Sequence, residues 1–204
     1  MIFNLVKNEQ PTHIAVAFDL PGGTFRDRMY EEYKAGRDET PEPFKGQIEL
    51  IQKTLDALGV AWFTVEDFEA DDIVASIATI ADQEGAEPLL VTSDRDAIQL
   101  VTDTVTLLQP VKGVTELRRM TPSAVEEKYL VSPELYPDLA ALVGESADNL
   151  PGVPGVGPKT AAKWIAQYGN LDGILENAEQ IKGKAGQSLR DNVAAVTLSL
   201  IHIS

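Results

Sequence analysis

The chain of 204 residues has no cysteine and only two histidines. That excludes disulfides and thiolate chemistry, and leaves almost nothing from which to build a Cys/His zinc site. Cations are scarce as well: 17 Lys and Arg face 32 Asp and Glu, for a net charge of −15. A broadly basic surface that coats nucleic acid is excluded by this balance, so any phosphate binding must be local. No apolar run approaches the ~20 residues of a membrane span. Residues 1–10 lack the basic-then-apolar order of a secretory signal. These absences fit a cytoplasmic protein with no membrane partner.

What the chain does have is acid gathered in short stretches. Phe68-Glu69-Ala70-Asp71-Asp72 puts three carboxylates into four positions, just where the helix-period run Ile73, Val74, Ile77, Ile80 begins. Thr92-Ser93-Asp94-Arg95-Asp96 puts two more behind the strand-like run at 88–91. Carboxylates this close repel, and a fold that gathers them usually offsets the charge with cations. Oxygen-only ligands point to Mg²⁺ or Mn²⁺. Acids favoured by a helix dipole, plus a solvated turn, are the competing explanation. The position of both clusters at the ends of βα units favours the metal.

Taken in order, the apolar run 12–18 reads as a buried parallel strand ending in Asp19, at the edge where open α/β sheets bind ligands. Residues 25–37 hold Phe25, Arg26, Arg28, Tyr30, Tyr33, Lys34 and Arg37, the one basic-aromatic segment of an acidic chain. Such interleaving suits a nucleic-acid backbone, or else a helix with a solvated basic face. Residues 38–43, with Pro41 and Pro43, read as a mobile loop. The pattern then predicts a helix at 44–58 stopped by Gly59, a strand at 60–65, a helix at 70–83 and a strand at 87–91. A short helix at 97–101 and a strand at 105–108 follow. This alternation implies a parallel sheet. Beyond Gly113 short helices take over, at 122–129, 133–143, 158–168, 171–178 and 186–193, and the domain change is set at 117/118. His13 and His202 are isolated and receive no role.

The second region contains Gly144-Glu145-Ser146-Ala147-Asp148-Asn149-Leu150-Pro151-Gly152, followed by Gly155-Val156-Gly157-Pro158-Lys159-Thr160 and, further on, Lys163. A glycine hairpin opening a helix exposes backbone amides as an anion site, to which Lys159 adds charge. It is not a nucleotide-binding loop, because no apolar strand precedes it.

With these motifs in order, residues 1–196 resemble the 5′ nuclease (5′–3′ exonuclease) domain of bacterial DNA polymerase I, related to flap endonucleases. The resemblance rests on Phe18-Asp19, Phe25-Arg26, the Tyr33–Arg37 segment, Glu69-Ala70-Asp71-Asp72, Asp94-Arg95-Asp96, the 144–152 stretch and the hairpin. It implies a PIN-like α/β core with a mostly parallel sheet and flanking helices, then a helical region with a helix-hairpin-helix. It also implies two divalent ions that activate water to hydrolyse DNA at a 5′ flap or nicked duplex, in replication and repair. Asp19, Glu69 and Asp71 would gather round one ion and Asp94, Asp96 and Asp148 round the other, with Asp71 near both and Asp72 and Glu145 alongside. Arg26, Lys34 and Arg37 would steer the scissile phosphate. Tyr33, Gly155, Gly157, Lys159, Thr160 and Lys163 would contact DNA.

Three features depart from the family. Its first strand, with an early metal-binding Asp, is expected to be missing. Glu145 stands where Asp is common, and the tail Leu198–Ser204 does not follow the pattern. The polymerase domain that the family normally carries behind this one is expected to be absent. The alternatives are a catalytically impaired DNA-binding fragment and a PIN-type ribonuclease. The hairpin and the Tyr33–Arg37 stretch speak against the ribonuclease.

Overall fold

The computed structural model describes residues 2–36, 44, 46–112 and 116–204. Arg37 and the loop expected at 38–43 lie outside them.

Helix α1 (Ile2–Glu9) leads to strand β1 (Ala15–Ala17) and the short helix α2 (Phe25–Met29). Thr24 starts α2 through a capping box: its hydroxyl accepts from the Arg26 amide, while Asp27 accepts from the Thr24 amide. Helix α3 (Gln47–Leu58) stops at Gly59 as its pattern predicts, and strand β2 (Ala61–Phe63) follows. Helix α4 spans Ala70–Gln83 and strand β3 spans Leu89–Val91. Behind β3, Asp96–Leu100 form a 3-10 turn.

The sheet comes in two pieces. β1 pairs with β2 in parallel, and β3 pairs in parallel with β4 (Thr106–Lys112). A fifth strand, β5 (Glu116–Met120), lies antiparallel on β4 with Leu107 opposite Met120. The sequence pattern contains no signal for β5, and it carries the sheet across the domain change expected near 117. Mixed α/β with a small, largely parallel sheet is the architecture that the alternation of elements implies.

Helices α5 (Pro122–Tyr129), α6 (Tyr136–Val143), α7 (Pro158–Tyr168), α8 (Leu171–Glu176), α9 (Gly183–Asp191) and α10 (Val193–Ile203) complete the chain. α10 packs on α6 and includes the tail that the sequence left outside any element.

The main core joins β3, β4 and α4 to the helical region through Leu90, Leu107, Met120, Leu142, Trp164, Leu189 and Val196. None of its members comes from α1, β1, α3 or β2. α1 buries none of its residues and α3 buries only Leu55. Phe3, Ile48, Leu50, Ile51, Leu58 and Phe63, on or between these elements, are exposed.

Candidate metal centre

The acids converge because each sits where a strand or helix begins or ends. Glu69 caps α4, and the first turn of that helix holds Asp71 and Asp72. Asp19, just beyond β1, accepts the Ala70 amide at 2.7 Å and so ties the small sheet to the start of α4. Behind β3, the Thr92 hydroxyl accepts from the Asp94 amide and the Asp94 carboxylate accepts from the Asp96 amide, both at 3.0 Å. A paired bridge between Glu145 and Leu150 closes the 144–152 loop that carries Glu145 and Asp148.

Carboxylate oxygens of Asp96, Glu145 and Asp148 lie within 4.8 Å of one another. Asp148 is buried, and the Asp96 Oδ1 atom is buried with no hydrogen-bond partner. Burial pushes the Asp96 carboxyl up to about 9, with Glu145, Asp94, Asp148 and Asp71 adding repulsion. Burial also raises Glu145, and Asp148 raises it further. Asp71 is pushed up to about 6 by burial, then by Asp94, Asp19 and Glu69. An orphaned buried oxygen among mutually repelling carboxylates is costly unless a cation fills the space. The donor set fits a hard divalent ion. Glu145 belongs to this group despite standing where the family pattern has Asp.

One expected ligand, Asp72, is held by a cation of the protein itself. Arg26 grips Asp72 with both guanidinium nitrogens, at 2.8 and 2.9 Å, and Asp72 also accepts the Glu69 amide at 2.9 Å. Burial works against ionised Asp72, but Arg26 and the Glu69 amide hold its carboxyl below the usual range. Asp72 is therefore the reciprocal partner of the α4 cap. Arg26 is buried, its Nε donates to the His202 carbonyl, and it lines the cleft beside Lys34 and Asp71. Tyr33 packs inward. Its ring is 5% exposed, too deep to stack on a base, and its hydroxyl donates to Glu69 at 3.2 Å.

Lys34 does stand at the cluster, its Nζ donating to Glu69 at 2.6 Å. His202, read as isolated, lines the same cleft along with Ile203 and Ser204. A lone histidine in an apolar tail carries no signal that would have placed it there.

In the hairpin, Val153 and Val156 are buried anchors. Gly155 and Gly157 face open space, Gly157 caps α7, and Lys159 and Lys163 lie exposed one turn apart on that helix. Thr160 is half-buried, its amide bonded to the Gly157 carbonyl. No helix is long and apolar enough to cross a membrane among the described residues.

Residues 1–130 match the 5′-3′ exonuclease N-terminal resolvase-like domain, and residues 131–201 match the 5′-3′ exonuclease C-terminal SAM fold. The chain is 55% identical over 196 residues to DNA polymerase I of Mycobacterium bovis, covering 96% of this chain and 22% of that protein. It thus spans about a fifth of the length of such relatives. Among solved structures, T5 5′-exonuclease with bound zinc ions superposes with a TM-score of 0.80 at 26% identity, covering 99% of this chain and 78% of that one. A bacteriophage T5 flap endonuclease pseudo-enzyme–product complex with DNA and metal ions gives the same score and identity, covering 99% and 77%. With both halves of the chain matched and the acid cluster assembled between them, this chain belongs to the 5′-3′ exonuclease family.

Proposed function

We propose that the chain hydrolyses DNA phosphodiesters near 5′ ends, at a flap or in a nicked duplex, with two divalent cations that are Mg²⁺ or Mn²⁺. The observation that carries this reading is the buried, unpartnered Asp96 oxygen on a carboxylate grouped within 4.8 Å of those of Glu145 and Asp148. That group holds one cation. Asp19, Glu69 and Asp71 hold the other, with Asp94 between the two sets. When bound, the cations activate water and offset charge on the attacking and leaving oxygens.

The protein groups act by placement. Lys34 brings a positive charge to the rim of the cluster, where charge develops on the phosphate. Arg37 takes the same part in this reading. The amides at the start of α7, with Lys159 and Lys163, hold the duplex backbone without reading bases. The reading also includes work in the cytoplasm beside a polymerase, the activity named in the M. bovis relative.

Asp96, Glu145 and Asp148 have the tighter site, because Glu69 in the other set already pairs with Lys34. The test is cleavage of 5′-flap DNA against single-stranded RNA, with Mg²⁺, Mn²⁺ or EDTA, and cation binding by calorimetry. Asp148→Asn should lose the tighter binding event and all cleavage. Cleavage in EDTA, or a preference for RNA, overturns the reading.

A further inference from the structure

The turn that carries Lys34 and the 144–152 loop are far apart in sequence yet joined by two hydrogen bonds. The Lys34 amide donates to the Asp148 carbonyl at 3.0 Å. One residue on, the Asn149 side-chain amide donates to the Glu32 carbonyl at 2.8 Å. Both Lys34 and Asn149 are held in the left-handed region, at φ 56° and 57°. Asn tolerates that conformation and lysine rarely adopts it, so something outside the local turn must hold Lys34 there. The loop itself is well anchored. Glu145 and Leu150 exchange two backbone hydrogen bonds, and Gly144 and Gly152 meet backbone to backbone.

We propose that Asn149 is a positioning residue for Lys34. Its amide pins the 30–36 turn to the acidic loop, so that the Lys34 ammonium and the Asp148 carboxylate keep a fixed separation. Asn149 touches neither phosphate nor cation. It acts through the Glu32 carbonyl, which also accepts the Ala35 amide and so closes the turn containing Lys34. The spacing of a catalytic cation from the ligand set is thereby set by a side chain whose only chemical requirements are a donor and tolerance of positive φ. The catalytic part of this inference rests on the proposed role of Lys34, whereas the clamp does not.

Two variants separate the requirements. Asn149→Gly keeps the left-handed backbone and removes the donor. Asn149→Asp keeps size and backbone preference but turns an acceptor toward the Glu32 carbonyl. Amide exchange at Lys34, followed by NMR, reads the clamp without any cleavage. Both variants should exchange faster there, while amides in α6 and α7 keep their protection. Single-turnover flap cleavage in Mn²⁺ should fall on the order of tenfold, as for other partners that orient a reacting group, with flap affinity and Mn²⁺ affinity within about twofold of the parent. In a Lys34→Ala background, Asn149→Gly should then cost almost nothing more. Unchanged Lys34 exchange overturns the clamp, and equal losses in both backgrounds overturn the action through Lys34. If the parent chain cleaves nothing, the proposed nuclease role fails, yet the exchange comparison still decides the clamp.

Discussion

At the centre, Asp71 and Asp96 hold their protons more tightly than an unfolded Asp, whose pKa is about 3.9. Through these two groups the folded chain binds more protons than the unfolded chain from about pH 4 upward, and their contribution to stability falls as pH rises. The favourable contribution is complete below the unfolded value. It fades through about 6 as Asp71 ionises and through about 9 as Asp96 does. In EDTA the melting temperature should decline from pH 5 to pH 9, and Asp96→Asn should flatten the upper part. A level or rising profile would contradict the strained cluster. The Arg26–Asp72 pair has the opposite character, being satisfied on both sides. Arg26→Ala leaves Asp72 half-buried with only the Glu69 amide as a partner, at an expected cost of about 3 kcal/mol. The Arg26→Ala/Asp72→Ala double variant should lose less than the sum of the single losses in chemical denaturation. Simple additivity would show that the pair is not coupled. The sequence could name these two residues but not their pairing, since 46 positions separate them. For Tyr33 the limit is related: a basic-aromatic pattern shows which side chains alternate, not which way a ring points.

Elements with both a period and a punctuating residue were legible. α4, α5 and α7 run over the residues that their patterns predict. Thr121 and Pro122 mark the start of α5, Gly157 and Pro158 that of α7, and Gly59 closes α3. β5 was not legible, because Glu116-Leu117-Arg118-Arg119-Met120 offers only two apolar residues, and pairing with β4 rather than composition makes it a strand. α10 is apolar almost all round, which hides its period. Among the loops, 144–152 has the least slack. A Cβ on Gly152 would lie 2.3 Å from the Val143 carbonyl oxygen, so Gly152→Ala must push the loop off the end of α6. Divalent affinity should fall at least tenfold along with stability, since Glu145 and Asp148 ride on that loop. Retained affinity would place the cation elsewhere. On the hairpin, Lys159→Ala should lower the slope of log affinity against log salt by roughly 1. An unchanged slope would leave the hairpin as a connector only.

Across the whole molecule, the acid cluster straddles two unequal bodies. Asp19 belongs to β1 and the small sheet, which contributes nothing to the main core. Asp96, Glu145 and Asp148 belong to the larger body, and Asp71 reaches toward both. A piece with little buried apolar area opens at lower free energy than the core it leans on. Cations held from both sides add their binding free energy only while the two bodies are docked. Cooperativity itself thus becomes a function of ligand concentration. In EDTA the calorimetric enthalpy of unfolding should exceed the van't Hoff enthalpy, the signature of more than one melting unit. As Mn²⁺ is added the ratio should fall towards one, because the split sheet then melts as a single unit with the core. A ratio of one without any cation would mean that the small sheet never melts alone.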